Sequence, residues 1–190
     1  MERVLLALSE AELVHHAQHG DRSAFAELVR RYHTNVIGVV YRLCGDPDLA
    51  EDAAQEAFVR AWLNLNTYRP LTPWRNWLYR IAVNAALDML RRERPTLALD
   101  DAPPLHSDSP DPHAALEQKE REDLVRRAIL TLPPASRAVL VLREYGGLSY
   151  REIAEALNIP LGTVMSRLSS ARQHLREHLA PWLTPQEVNS

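Results

Sequence analysis

Apolar residues return every three or four positions along most of the chain, and nowhere do they alternate one by one as in a half-buried strand. Ser9 and Glu12 have capping-box spacing ahead of a short helix that should end near Gly20. Asp21 can cap the next, whose stripe is Phe25, Leu28, Val29, Tyr32, Val36, Val39, Val40 and Leu43, with Gly45 as its stop. Asp48 should start a third through Ala53, Ala57, Ala61 and Leu65. After a loop at Tyr68-Arg69-Pro70-Leu71, Thr72-Pro73 should cap and open a fourth helix that runs toward Arg94, where Pro95 ends it. The pattern then breaks. Residues 95–113, PTLALDDAPPLHSDSPDPH, have no period and read as an acidic, Pro-rich linker. Beyond it one helix should cover Ala114 to Thr131, and Pro133-Pro134 should introduce another that ends at Gly146-Gly147. The expected fold is all-α: a helical domain over 1–94, the linker, a second helical domain over 114–180, and a tail over 181–190 that holds Trp182 and Leu183.

Within the second domain, LSYREIAEALNIPLGTVMSRLSSARQHL reads as two amphipathic helices with one interruption. Ser149 and Glu152 form a capping box, Leu148 can staple onto Ile153, and the first helix begins at Tyr150 with Ile153, Ala154 and Leu157 as its buried face. Asn158 stands where a turn needs the left-handed conformation, and Pro160 is tolerated in the first turn of the helix that follows. In that helix Leu161, Val164, Leu168, Ala171 and Leu175 face inward, while Thr163, Ser166, Arg167, Ser169, Ser170, Arg172 and Gln173 face out. This is the helix-turn-helix arrangement, and it expects the second helix to enter a DNA major groove.

A net charge of −3 argues against nucleic acid only until it is divided along the chain. Residues 67–94 carry six basic and two acidic side chains, residues 124–180 eight and four, and the acidic excess lies in 1–66 and 95–123. Lys119 is the only lysine, so the basic groups are guanidinium forks suited to phosphates and base edges. The single cysteine, Cys44, excludes an internal disulfide and reads as a buried small hydrophobe in a reducing compartment. The start lacks the pattern of a signal peptide, and no apolar run is long enough to cross a bilayer.

The first domain carries its own polar surfaces. Asp52, Gln55 and Glu56 lie on one face of a helix, with Phe58 about a turn on, a face that could dock on a basic partner. In the next helix Trp74, Trp77, Leu78, Ile81 and Ala85 supply apolar surface, and Arg80, Asn84, Asp88, Arg91 and Arg92 a polar strip. Aromatics among Arg and Asn suit single-stranded nucleic acid, where bases stack and phosphates pair. Either tryptophan could equally be core, Trp77 more readily than Trp74.

Three segments, DAAQEAF, WLYRIAVNAALDMLRR and LSYREIA…GTVMSRLSSAR, together resemble the extracytoplasmic-function sigma factors, the small two-domain members of the sigma-70 superfamily. The resemblance covers residues 21–94 and 114–178, and the short spacer leaves no room for the additional DNA-binding module of larger sigma factors. It implies a cytoplasmic bacterial transcription-initiation factor without cofactor, metal or catalytic residues. Its partners would be core RNA polymerase through the beta-prime clamp and beta subunits, promoter DNA, and an anti-sigma factor. Asp52, Gln55, Glu56 and Phe58 would dock on the clamp. The loop from Asn66 to Pro73, with Tyr68 and Arg69, and then Trp74, Arg80, Asn84, Asp88, Arg91 and Arg92, would bind the −10 element. Arg143, Thr163, Ser166, Arg167, Ser169, Ser170 and Arg172 would face the −35 element. The chain departs from the family where Met165 stands in place of a frequent basic residue, near Ser170, and in the loop TYRPLTPWRNWL.

Two other classes compete. A free-standing helix-turn-helix regulator explains 124–178 but gives DAAQEAF and the Trp-Arg-Asn helix no task. An enzyme would need Asp48, Glu51, Asp52 and Glu56 as metal ligands, yet no matching second carboxylate helix follows, and acidic groups at a helix N-terminus are expected from its dipole. The clusters His15, His16 and His19, and His174 and His178, lack Cys or carboxylate partners in register and read as solvated surface.

Overall fold

The computed structural model describes residues 5–93 and 112–183, and among these every regular element is helical. The helices are α1 (Glu10–Gln18), α2 (Arg22–Cys44), α3 (Pro47–Leu63), α4 (Trp74–Glu93), α5 (Pro112–Leu130), α6 (Pro134–Glu144), α7 (Tyr150–Leu157) and α8 (Leu161–Leu183), with a 3-10 turn at Leu65–Thr67.

The expected caps stand. Ser9 and Glu12 close a full capping box on α1, and Asp21 accepts from the amides of Ser23 and Ala24 at the start of α2. Gly45 ends α2 with φ 81°, a left-handed turn that leaves it flush against Leu130, where a Cβ would meet the side chain at 2.7 Å. Some boundaries move. Asp46, not Asp48, caps α3, because Pro47 supplies a ready first turn and the Asp46 carboxylate reaches the Leu49 amide at 2.8 Å. Pro73 and Pro160 lie just outside α4 and α8, offering their carbonyls to the first-turn amides. Helix α5 starts at Pro112, two residues before the expected Ala114, while the linker through residue 111 lies outside the described residues. Helix α8 continues through Pro181 to Leu183, so Trp182 sits on its last turn rather than in a separate tail.

Helices α1 to α4 form the first bundle. Ala50, Ala53, Ala54, Ala57 and Ala61 are fully buried, so α3 runs close to its neighbours, and Leu28, Val36, Val40, Leu78 and Val83 fill the space they leave. Arg31 ties the chain before α1 to α2, donating to the carbonyls of Leu8 and Leu6 at 3.0 Å. The second bundle packs Ala138, Leu142, Leu148, Ile153, Val164, Leu168 and Ala171 between α6, α7 and α8. Asn158 adopts φ 51° and ψ 51° between α7 and α8, the left-handed turn expected of it. Leu161 departs from the expected stripe: standing at the first position of α8, it is exposed.

The two bundles are packed against each other, and their buried residues make one continuous cluster. Arg137 of α6 is buried and donates to Leu43 O (2.6 Å) at the end of α2, to Leu130 O (2.7 Å) at the end of α5, and to Leu132 O (2.9 Å) in the turn before α6. Arg42 stacks on Tyr145 at 4.2 Å from the ring centre. Asn76 of α4 donates to the Glu152 carboxylate of α7, and Asn84 to the carbonyl of Ala156 at 3.2 Å.

Two stability outcomes follow from these contacts. Arg137→Met should lower unfolding free energy by about 3 kcal/mol in urea denaturation, since up to three buried carbonyls lose their donor, with Arg137→Lys falling between it and the wild type. Glu27 is gripped by Arg30 and Arg31 at 2.7 to 2.8 Å, and these hydrogen bonds, Arg30 foremost, hold its carboxyl down at about 2 from an ordinary 4.5. A depressed folded-state value stabilises the fold above pH 4.5, and that contribution fades as pH falls toward 2. Thermal melts between pH 5 and 2.5 should therefore show a shallower acid decline for Glu27→Gln than for the wild type.

Candidate nucleic-acid interface

The outward face of α3 begins at Asp52 and Gln55, both exposed, and Glu56, partly exposed. Phe58 corrects the sequence expectation. It is buried and stacked beside His33, behind this face and not on it. The face continues instead through Val59 and Leu63, which are 54% and 74% exposed. Their i,i+4,i+8 spacing from Gln55 was available in the sequence, since the alanines at 53, 57 and 61 leave that side outside.

Ion pairs connect this face to α4. Glu56 accepts from Arg60 at 2.7 Å, Arg60 reaches Asp88 at 3.3 Å, and Asp88 accepts from Arg91 at 3.1 Å. Each pair is at least one-third exposed and contributes little stability alone. Together they orient Asp88 and Arg91 with respect to α3. Arg60 was missed at the sequence level because its partners lie on two helices. Arg91 and Arg92 stand exposed in the last turn of α4, where the helix dipole favours cations. Arg80 is half-buried one face over.

The aromatic part of the expected strip is differently placed. Trp74 is 1% exposed and Tyr68 is 7% exposed; they meet edge to face at 5.2 Å, with Trp77 packed on both. These rings are core, shielded because the loop folds back over the start of α4, and they do not offer a stacking platform. The Tyr68 hydroxyl donates to Thr72 O at 2.9 Å, and Gln18 of α1 holds the loop through the carbonyls of Leu65 and Tyr68. Arg69 is exposed and folded onto the carbonyls of Asn66 and Tyr68, and Leu71 stands out at the tip. Asn84 is on α4 as expected, but its amide is engaged by α7.

On the second bundle the polar face of α8 is open. Ser166, Ser169 and Ser170 are exposed, and Thr163 and Arg167 partly so. Ser166 donates its hydroxyl to the Thr163 carbonyl at 3.1 Å, a local bond that a stronger partner can displace. Arg172 pairs with Glu144 at 2.8 Å on the surface. Arg143 is committed inside the domain: it donates to Leu148 O at 2.8 Å and lies over the Tyr150 ring, fixing the turn ahead of α7. A shallow cleft between Tyr150 and α8 is lined by Met165, Ser169, Arg172, Gln173 and Arg176. Burial works to raise the Glu152 carboxyl, but hydrogen bonds from Ser149 and Asn76 outweigh it and hold the group below its ordinary value. Among the described residues no three His, Cys, Asp or Glu side chains converge as a metal site, and no helix is long and apolar enough to cross a membrane.

Comparison with known proteins gives this geometry a context. The family model described as Sigma-70 region 2 matches residues 28–96, and that described as Sigma-70, region 4 matches residues 122–175. The ECF RNA polymerase sigma factor SigW of Bacillus subtilis is 37% identical over 170 residues, covering 84% of this chain and 91% of that one. The RNA polymerase sigma-H factor of Pseudomonas aeruginosa is 37% identical over 184 residues, covering 92% and 95%. Among solved structures, CnrH in complex with the cytosolic domain of CnrY superposes with a TM-score of 0.65 at 27% identity, over 89% of this chain and 96% of that chain. RpoE of Bartonella quintana, solved with the anti-sigma factor NepR, shares the fold with a TM-score of 0.64 at 22% identity, over 82% and 96%. With most of α2 and all of α3 and α4 in one matched region, and α7 and most of α8 in the other, the chain belongs to the sigma-70 family, among its extracytoplasmic-function members.

Proposed function

We propose that this chain directs core RNA polymerase to promoters, reading a −10 element with the first bundle and a −35 element with the second, and that it begins strand separation at the −10 element. The observation that carries the reading is the presence on one chain of two separate exposed polar faces suited to nucleic acid: the Arg91 and Arg92 end of α4, and the hydroxyl and guanidinium face of α8. The exposed face of α3, with Asp52, Gln55, Glu56, Val59 and Leu63, is the polymerase docking surface, on the beta-prime clamp. Its acidic rim and apolar centre suit a basic partner with an apolar seam.

Arg80, Asn84, Asp88, Arg91, Arg92 and Arg69 serve the −10 strand, with Tyr68 and Trp74 as the core beneath them. Thr163, Ser166, Arg167, Ser169, Ser170 and Arg172 serve the −35 duplex, with Arg143 bracing the turn. Because Asn84 is engaged by Ala156 in the packed arrangement, reading the −10 strand requires α7 to leave α4. Polymerase, by holding the bundles apart on its surface, supplies that separation and the effective concentration that an acidic chain lacks alone. The reading includes an anti-sigma partner that keeps the chain from polymerase in the cytoplasm.

Paired substitutions separate these roles. Arg91→Ala with Arg92→Ala should reduce open-complex formation at least tenfold and flatten its salt dependence by about two phosphate contacts, while polymerase binding stays intact. Gln55→Ala with Glu56→Ala should weaken polymerase capture first. Run-off transcription and polymerase pull-down distinguish the two, and equal loss of both activities in both variants would contradict the division of labour. Duplex binding without polymerase capture by the unaltered chain would instead favour a free-standing regulator.

A further inference from the structure

The second bundle leaves an unusual stretch of apolar surface at the start of α8. Leu161 is 42% exposed and Met165 is 53% exposed, one turn apart on one flank of the helix. Their neighbours on the outward side are hydroxyls and guanidinium groups, so this ridge is an apolar island in a face otherwise suited to polar contacts. Gly162 lies beside it. Its backbone is not among the left-handed glycines, and an added Cβ would meet nothing within 4 Å. Gly162 is the second residue of α8, and its bare backbone faces open space at the end of the helix that carries the ridge.

We propose that Met165, flanked by Leu161, reads the C5-methyl group of thymine in the −35 element, and that Gly162 allows the first turn of α8 to approach the DNA closely. This rests on the −35 reading of α8 given above. The base edges of a major groove present donors, acceptors and a single kind of apolar group, the thymine methyl. A recognition helix enters such a groove by its N-terminal residues, the end that carries Leu161, Gly162 and Met165. A thioether on three rotatable bonds adapts to that methyl and offers nothing to a donor or acceptor edge. Where an arginine here would select guanine, Met165 selects thymine.

The test uses the full chain with core polymerase. Promoters are selected from a random library, and each thymine of the recovered −35 element is then replaced by uracil, which keeps every hydrogen-bonding edge and lacks only the methyl. The expected result is a −35 element containing thymine, with about a fourfold loss of holoenzyme binding at one or two uracil positions, the size of one buried methyl group. Met165→Ala should bind more weakly and lose its sensitivity to uracil, and Met165→Arg should shift the selected base at that position toward guanine. Gly162→Ala should melt at or above the wild-type temperature yet bind the promoter less well. A recovered −35 element indifferent to uracil, or a Met165→Ala variant as sensitive as the wild type, would overturn this proposal alone. Recovery of no −35 element at all would overturn it together with the reading of α8 on which it rests.

Discussion

Arg137 carries a charge into the interior, and among the described residues no carboxylate pairs with it. Its guanidinium donates to carbonyls at the ends of α2 and α5 and in the turn before α6, groups that the helices cannot satisfy themselves. Helix C-termini bear partial negative charge, so three carbonyls can replace a counter-ion while each gains a donor. One side chain thereby completes the cap of the first bundle and the hinge between two helices of the second. Gly45 beside Leu130 and Arg42 over Tyr145 fit around that join, and the contacts of α4 with α7 lie on the same seam.

The cost of such a seam falls on the functional surfaces unevenly. The α3 face and the Arg91–Arg92 end of α4 remain outside, as does the polar side of α8. Asn84 does not: its amide is satisfied by the α7 backbone, and Asn76 nearby is buried with its Oδ1 unpaired. An unpaired buried acceptor weakens the packed arrangement. Arg137 also leaves its Nε without a partner, so the seam combines three short hydrogen bonds with unpaired polar atoms at both Arg137 and Asn76.

The all-α architecture and the helix-turn-helix were legible because their signals are local: capping boxes at Ser9 and Ser149, the Asn158 turn, and the Val164-Leu168-Ala171 stripe each lie within a few residues. The polar faces of α3 and α8 were legible for the same reason. What was not legible depended on distant partners. Phe58, Tyr68 and Trp74 look like exposed aromatics in a one-helix view and become core only through distant neighbours: His33 of α2 beside Phe58, and the loop held by Gln18 of α1 around Tyr68 and Trp74. Leu161 continues a helical stripe by spacing, yet spacing does not register that the first residue of α8 stays exposed. Arg60 and Arg137 act across elements far apart in the chain, which periodicity does not register.

The central claim is that the two DNA-reading bundles are held together in the free chain and separate when polymerase takes them up. The most direct measurement is a distance distribution between labels on cysteines placed at the exposed Arg22 and Glu177, with Cys44 replaced by serine. The account predicts a single narrow distribution for the free chain, lengthening on addition of core polymerase and promoter DNA. A free chain with its bundles already apart, or a distribution unchanged in the transcribing complex, would contradict it.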